Sequence, residues 1–190
     1  MVHGELLAFA ALLLLYHGSE LALVATYTPE HLSAASLLLS PSYLLAMALA
    51  LAEHAAERTL VPAYKAQVLA ATFGPGLAVT AVGEALRIAA WATARGCFTH
   101  RIQHKRRPGH VLITHGVYAW VRHPGYLGWG VWAVGTQLVL GNVAAAVAFA
   151  GVSWLFFRRR IRTEEAALVT MFGDEYGTYR RRVPTRMCIP

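Results

Sequence analysis

Two polar segments carry the side chains with the clearest potential for chemistry. Residues 110–126 are dense in histidine, tyrosine, tryptophan and arginine, which bind planar or charged ligands. Residues 158–165 combine four arginines with two adjacent glutamates. Arg160 and Glu164 are four residues apart, so on a helix they share one face. A basic collar at a membrane surface, followed by a solvated helix, would have the same composition as residues 158–165. This segment therefore indicates a functional site only if the fold brings it to residues 110–126.

Signatures of several common sites are missing from the sequence. No Gly-x-Gly-x-x-Gly follows a strand pattern, and neither a phosphate-binding loop nor a Gly-x-Ser-x-Gly turn is found. Nine histidines are present, and His100 and His104 could share a helix face. Neither paired cysteines nor a glutamate at zinc-like spacing joins them. The sequence therefore predicts neither a Rossmann-type nucleotide site nor a metal site.

The composition indicates an integral membrane protein of one domain, residues 1–190. Apolar residues make up 56% of the chain and charged residues 14%, against about 45–50% and about 25% in soluble domains. The mean hydropathy is +0.44. A soluble core of this size could not bury so much apolar surface. The basic excess has no nucleic-acid-reading motif beside it, so nucleic acid is not an expected partner and the lipid bilayer is.

The apolar runs predict five transmembrane helices in an all-α, polytopic protein. Three spans are expected within residues 1–96, and residues 97–190 would form the catalytic part. Residues 127–157 carry no charge, whereas one crossing needs about 20 residues. Because Gly141 and Asn142 fall near the middle of this run, it predicts a helical hairpin over residues 125–157. The expected spans are 6–27, 42–60, 66–95, 125–140 and 143–157.

The charge distribution predicts the orientation of these spans. Thirteen of the 17 lysines and arginines lie either in residues 97–123 or from residue 158 onward. A hairpin places both segments on one face of the membrane, and the positive-inside rule makes that face cytosolic. The two polar segments would then form one cytosolic pocket that is not of the Rossmann type. Within the third span, Glu84 and Arg87 are three residues apart and are predicted to pair.

A series of short elements, in order from about residue 16 to the C-terminus, resembles one known family. The elements are Tyr16-His-Gly-Ser-Glu20, Gly83-Glu-Ala-Leu-Arg87, Phe98-Thr-His100, His110-Val-Leu-Ile-Thr, Gly116-Val-Tyr118, Arg122-His-Pro-Gly-Tyr126, Gly135-Thr-Gln137, Arg160-Ile-Arg-Thr-Glu164-Glu165 and Phe172-Gly-Asp-Glu-Tyr176. In these elements the chain resembles the protein-S-isoprenylcysteine O-methyltransferase family. Relative to longer eukaryotic members it starts late, which implies fewer N-terminal spans.

The resemblance implies an activity and a set of site residues. The activity is methylation, with S-adenosylmethionine as donor, of the C-terminal S-prenylcysteine α-carboxylate of processed CaaX proteins. The implied location is the endoplasmic reticulum membrane, with the active site facing the cytosol. Arg160 is the expected catalytic and substrate-binding residue, facing the carboxylate. The expected cofactor-binding residues are Gln103, His110, Val111, Leu112, Ile113, Tyr118, His123, Pro124, Gly125, Tyr126 and Glu164.

The implied reaction makes modest demands on the protein. A C-terminal carboxylate has a pKa of about 3.5 and is already ionised at neutral pH, so no general base is needed. Attack on a sulfonium neutralises both charges, which a water-poor site favours. Arg160 suits a carboxylate because its planar fork can hold both oxygens.

Two other functions are compatible with parts of the same pattern. Related membrane methyltransferases that act on a small lipid amine or thiol carry a similar C-terminal half. NADPH-dependent sterol reductases do as well, although a sterol reductase would need a larger bundle than five spans. Methyl transfer to N-acetyl-S-farnesylcysteine distinguishes prenylcysteine methylation from both of these alternatives.

Overall fold

The structure, a computed structural model, describes residues 4–106 and 108–189. Within these ranges the regular structure is helical, and the expected all-α fold is confirmed. Arg107, in the basic loop, and Pro190 lie outside the described residues. The six α-helices are α1 (Gly4–Tyr27), α2 (Pro41–Leu60), α3 (Pro62–Ala94), α4 (Pro124–Val139), α5 (Val143–Phe172) and α6 (Asp174–Arg182).

Prolines mark the start of three helices. Pro41, Pro62 and Pro124 open α2, α3 and α4. Proline suits the first helical position because its missing N–H would have no partner there and its φ is already helical. As a result α3 begins four residues before the predicted span at residue 66. A glycine marks the end of α5. The residue after its last one, Gly173, adopts a φ of 53°, a conformation that glycine adopts without steric cost.

Glycines allow α3 and α4 to pack with their backbones in close approach. Gly76 and Gly83 on α3 face Val139 and Trp132 on α4, and Gly128 faces the Gly83 carbonyl. A Cβ added at Gly128 would lie 2.7 Å from that oxygen, which is closer than real Cβ atoms come. Close backbone packing through small residues is the usual way membrane helices associate. The two helices therefore run antiparallel as one tightly packed unit.

The chain makes the predicted reversal between α4 and α5. It turns at residues 140–142, where Gly141 has a φ of 64°, and α5 then returns along α4. The expected bounds of the membrane hairpin, residues 125–157, stay a prediction, and the helix that contains its second arm continues without a break to Phe172. The apolar half of the helix thus passes directly into the half that carries Arg160 and Glu164.

Within the described residues, three helices, α1, α2 and α3, are long and apolar enough to cross a membrane. Helix α4 has 16 residues and is about 24 Å long, shorter than a hydrocarbon core of about 30 Å. The number of five crossings therefore stays a prediction. The hairpin is held by its packing on α1 and α3.

The predicted pairing of Glu84 with Arg87 is wrong. Arg87 forms an ion pair with Glu20 on α1, and Glu84 Oε1 instead accepts a hydrogen bond of 2.6 Å from Ser19 Oγ. Glu20 lies across the helix interface, where its two oxygens meet both Nε and Nη2 of the guanidinium. This two-point geometry gives a stronger interaction than a single contact along one helix surface.

Candidate active site

The two polar segments meet at a single cavity, of about 880 Å³ including its open mouth. The loop before α4 and the first turn of α4 form one side of the cavity, and α5 and α6 form the other. All the residues that were expected to bind the cofactor line this cavity: Gln103, His110, Val111, Leu112, Ile113, Tyr118, His123, Pro124, Gly125, Tyr126 and Glu164.

The loop that forms one wall is fixed to helices at both ends. Phe98 stacks on Trp91 of α3, with ring centroids 4.1 Å apart. Gly116 has a φ of 57° and packs so tightly on Thr93 that an added Cβ would lie 2.9 Å from its side chain. Farther along, Tyr179 of α6 donates a hydrogen bond of 2.8 Å from its hydroxyl to the Tyr118 carbonyl. The loop therefore presents its side chains and backbone groups from a defined position.

Glu164 offers an acceptor inside the cavity. Its Oε2 atom is buried and accepts no hydrogen bond from the described residues. The Nδ1 atom of His123 lies 3.6 Å from this oxygen. The His123 ring itself is stacked on Tyr126 at 5.6 Å. A buried carboxylate oxygen without a hydrogen bond is costly, so this atom suits a ligand that brings a hydroxyl or ammonium donor.

Glu165, which sequence reasoning gave no role, holds the cavity wall together. It accepts hydrogen bonds from Arg122 Nε at 2.9 Å and His123 Nε2 at 3.1 Å, and Arg180 Nε lies 3.3 Å from its second oxygen. Burial raises the pKa of the Glu165 carboxyl, but the His123 hydrogen bond and the Arg122 charge outweigh burial. The pKa therefore lies below its ordinary value of 4.5. The ionised carboxylate connects the start of α4 with α5 and α6.

Three tyrosines complete the cavity wall, Tyr118 from the loop and Tyr176 and Tyr179 from α6. Burial raises the pKa of all three phenols above the ordinary value of 10.0. At neutral pH each phenol is therefore protonated, and the Tyr179 hydroxyl already donates its hydrogen bond to the Tyr118 carbonyl. Leu168, Met171 and Phe172 add an apolar surface beside them. The cavity thus combines an apolar surface with a few polar groups, as small-molecule sites usually do.

Arg160 lies at the border of this cavity and does not line it. Its Nε donates a hydrogen bond of 2.8 Å to the Tyr126 hydroxyl, and Tyr126 does line the cavity. The Arg160 side chain itself lines a second, more open groove. The apolar part of that groove is formed by Val152, Leu155 and Phe156, which are exposed on the outside of α5. One guanidinium thus separates a polar cavity from an apolar groove.

Comparisons with known proteins give the family. The sequence model of the isoprenylcysteine carboxyl methyltransferase family matches residues 76–170. A probable protein-S-isoprenylcysteine O-methyltransferase from Oryza sativa subsp. indica is 44% identical, over 92% of this chain and 91% of its own length. The chain belongs to the isoprenylcysteine carboxyl methyltransferase family.

Longer relatives and a solved structure agree with this membership. The protein-S-isoprenylcysteine O-methyltransferase of Homo sapiens is 42% identical over 90% of this chain and 60% of its own length. A solved eukaryotic intramembrane Ras methyltransferase of the same family is 38% identical. It superposes with a TM-score of 0.88 over 93% of this chain and 63% of its own. The fold described above is therefore the fold of an intramembrane methyltransferase.

The matched segment contains every expected site residue. Gln103 is the first of them and Glu164 the last, and both lie within residues 76–170, as does Arg160. Some residues that support the site residues are not covered by this match. Glu20 of α1 and the α6 tyrosines lie beyond the segment. The position of Glu20 in an apolar run was the available signal, because ionisable residues at membrane depth are usually functional.

Proposed function

We propose that the chain transfers a methyl group from S-adenosylmethionine to the C-terminal α-carboxylate of an S-prenylated cysteine on processed CaaX proteins. The observation that carries the proposal is the position of Arg160 between a polar cavity and an apolar groove. A prenylcysteine needs the same combination, with a carboxylate at one end and a long apolar chain beside it.

The cavity residues fit the methyl donor. The buried Glu164 oxygen suits the ribose hydroxyls or the ammonium group of the donor, and the apolar and aromatic wall suits its adenine. Backbone groups of Val111, Leu112 and Ile113 would contribute further contacts. When bound, S-adenosylmethionine supplies a methyl group on a sulfonium centre. Binding and orientation by these residues are the contribution of the protein.

The acceptor side needs a cation and no base. A C-terminal carboxylate is ionised at neutral pH, so the site has no proton to remove. Arg160 already holds Tyr126 with Nε and the His100 carbonyl with Nη2, so its guanidinium has a fixed orientation. Its remaining N–H groups point the carboxylate toward the cavity border. Because the same contact stabilises the ground state, orientation has to contribute more than binding strength.

The groove below Arg160 fits the prenyl chain. Val152, Leu155 and Phe156 are exposed on a helix that passes through the apolar part of the protein. Lipid already solvates an isoprenoid there, so it would enter sideways from the bilayer. Exclusion of water at this position favours a reaction in which two opposite charges are neutralised.

The orientation follows from the charges and belongs to the same proposal. The basic loop and α5–α6 would face the cytosol, and the enzyme would reside in the endoplasmic reticulum membrane with five crossings. Single cysteines at Lys105, Thr178 and Val143 in sealed microsomes, with Cys97 and Cys188 replaced, test it. An impermeant thiol reagent added outside should label positions 105 and 178 and spare 143. Labelling of 105 and 178 from opposite sides would contradict a shared cytosolic pocket.

One assay tests the reaction itself. Purified protein in lipid is given S-adenosylmethionine with a radiolabelled methyl group and N-acetyl-S-farnesylcysteine. A carboxyl methyl ester releases its label as volatile methanol on treatment with base. We expect base-labile product that depends on the farnesyl group. Label that resists base would indicate methylation of an amine or thiol and would overturn the proposal.

A further inference from the structure

A buried ion pair between α1 and α3, two helices long and apolar enough to cross a membrane, contacts the first turn of α4. The Arg87 guanidinium holds both oxygens of Glu20 with Nε and Nη2, and Glu20 is fully buried. The remaining nitrogen, Nη1, donates a hydrogen bond of 2.9 Å to the Gly125 carbonyl. One side chain thus connects α1, α3 and a residue that lines the polar cavity.

Glu20 also holds the loop above it. Its Oε2 lies 2.7 Å from Nε2 of His100. The His100 ring is edge-on to Trp91, at 5.4 Å between centroids, and Trp91 stacks on Phe98. The imidazole is therefore fixed by an ion on one side and an aromatic ring on another. Its main chain cannot shift without breaking one of these contacts.

Both lines of contact end on Arg160. The His100 carbonyl accepts a hydrogen bond of 2.5 Å from Arg160 Nη2. The Tyr126 hydroxyl, one residue after Gly125, accepts one from Arg160 Nε, and the guanidinium lies 5.3 Å from the Tyr126 ring. Arg160 is thus oriented by two partners, His100 and Tyr126. Glu20 holds His100 directly. Arg87 holds Gly125, the residue before Tyr126.

We infer that Glu20, Arg87 and His100 are positioning residues that orient Arg160 from within the membrane. This inference rests on the proposed role of Arg160 as the group that binds the substrate carboxylate. None of the three needs to touch the substrate. They fix two acceptors on either side of the guanidinium, and so decide where its free N–H groups point. Misplacement of a positioned group by as little as 1 Å costs catalysis on the order of 100-fold.

Of the three positioning residues, His100 can be replaced with the smallest disturbance of buried charge. It also allows a matched pair of variants. His100→Gln keeps an amide N–H that reaches Glu20, whereas His100→Leu keeps apolar volume against Trp91 and removes the donor. We expect His100→Leu to lower kcat about tenfold with the KM for S-adenosylmethionine changed less than about twofold. We expect His100→Gln to recover to within about threefold of the wild type. His104→Leu, at an exposed histidine four residues on, is the control and should match the wild type.

The order of the two variants distinguishes positioning from packing. If His100 served only to pack on Trp91, leucine would be the better replacement, and a leucine variant as active as the glutamine variant would overturn the inference. Should His100→Leu not fold, His100→Asn takes its place, because its amide is one methylene too short to reach Glu20. In an Arg160→Lys background we expect His100→Leu to cause little further loss, since its effect acts through Arg160.

The same assay separates this inference from the proposed function. If Arg160→Lys retains wild-type turnover, the carboxylate-binding role of Arg160 fails and the inference fails with it. If Arg160→Lys loses turnover while His100→Leu keeps the wild-type kcat, only the positioning network is overturned.

Discussion

The molecule buries ionic networks at both ends of its helical bundle, and the two networks differ in what they hold. At the hairpin turn, Lys65 is almost fully buried and donates hydrogen bonds to Glu57 at 2.7 Å, the Gly141 carbonyl at 3.0 Å and Asn142 at 2.8 Å. All its partners belong to the turn or to the neighbouring end of α2. At the pocket end, the network of Glu20, Arg87 and His100 extends to Gly125, Tyr126 and Arg160, which border the cavity.

The comparison shows that buried charge alone does not identify a functional site. Both networks satisfy ions that would be costly if left unpaired. The turn network ends on the loop it closes, so its expected effect is on folding alone. The pocket network ends on the group proposed to bind substrate, so its effect is expected on turnover as well. The group at which a network of buried contacts ends therefore says more about the function of a buried ion than its burial does.

The largest effect on activity is expected from Arg160→Lys at the pocket end. Lysine keeps the charge but cannot hold Tyr126, the His100 carbonyl and a carboxylate together with one planar fork. We expect turnover to fall at least about 100-fold, which corresponds to about 2.7 kcal/mol of transition-state stabilisation. Binding of S-adenosylmethionine should stay within about threefold, as measured by equilibrium binding. Near-wild-type turnover would remove Arg160 from the substrate site.

The next effect is expected at the turn and should be on stability. Lys65→Met removes three hydrogen bonds and leaves Glu57 without its cation, at a cost of about 3 kcal/mol. The melting temperature should fall while the kcat of the folded fraction remains that of the wild type. Lys105→Met is the control, because Lys105 is exposed and a similar substitution there should leave the melting temperature unchanged. A Lys65→Met protein with normal stability and reduced kcat would reverse the comparison.

The adjacent glutamates give the same contrast within one helix turn. Glu165→Gln should cost about 3 kcal/mol of stability, because it leaves the buried Arg122 without an anion. Glu164→Gln should instead weaken S-adenosylmethionine binding about tenfold, since its free oxygen faces the cavity. Thermal unfolding and equilibrium binding measure the two effects. Small and equal changes from both variants would show that the pair is only a solvated part of α5.

The smallest effect is a pH dependence that comes from Glu165. Its pKa is lower in the folded protein than its ordinary value, so its contribution to stability is complete above about 4.5. As the pH falls below that value, the unfolded chain binds the proton first and the contribution is lost. Melting temperatures between about pH 6 and pH 3.5 should fall more steeply for the wild type than for Glu165→Gln. Parallel curves would show that Glu165 does not cause the acid sensitivity.

The sequence predicted the helical reversal at Gly141, and the family resemblance gave eleven of the residues that line the cavity. Their role in binding the cofactor stays a prediction. An uncharged run of 31 residues, against about 20 for one crossing, with Gly141 inside it predicts a reversal, and the reversal brings the two polar segments together. The partners of Arg87 could not be predicted in this way. Spacing along one helix favours Glu84, whereas the actual partner, Glu20, depends on how α1 packs against α3. The role of Glu165 was missed for the same reason, because its partners lie just before α4 and on α6.

The most direct test of this account is a structure of the protein in lipid with S-adenosylhomocysteine bound. The account predicts that the ligand occupies the cavity between residues 97–126 and α5–α6. It also predicts that a polar group of the ligand donates a hydrogen bond to the buried oxygen of Glu164. Arg160 should keep its contacts with Tyr126 and the His100 carbonyl. A ligand bound outside this cavity, or one that leaves Glu164 uncontacted, would contradict the account.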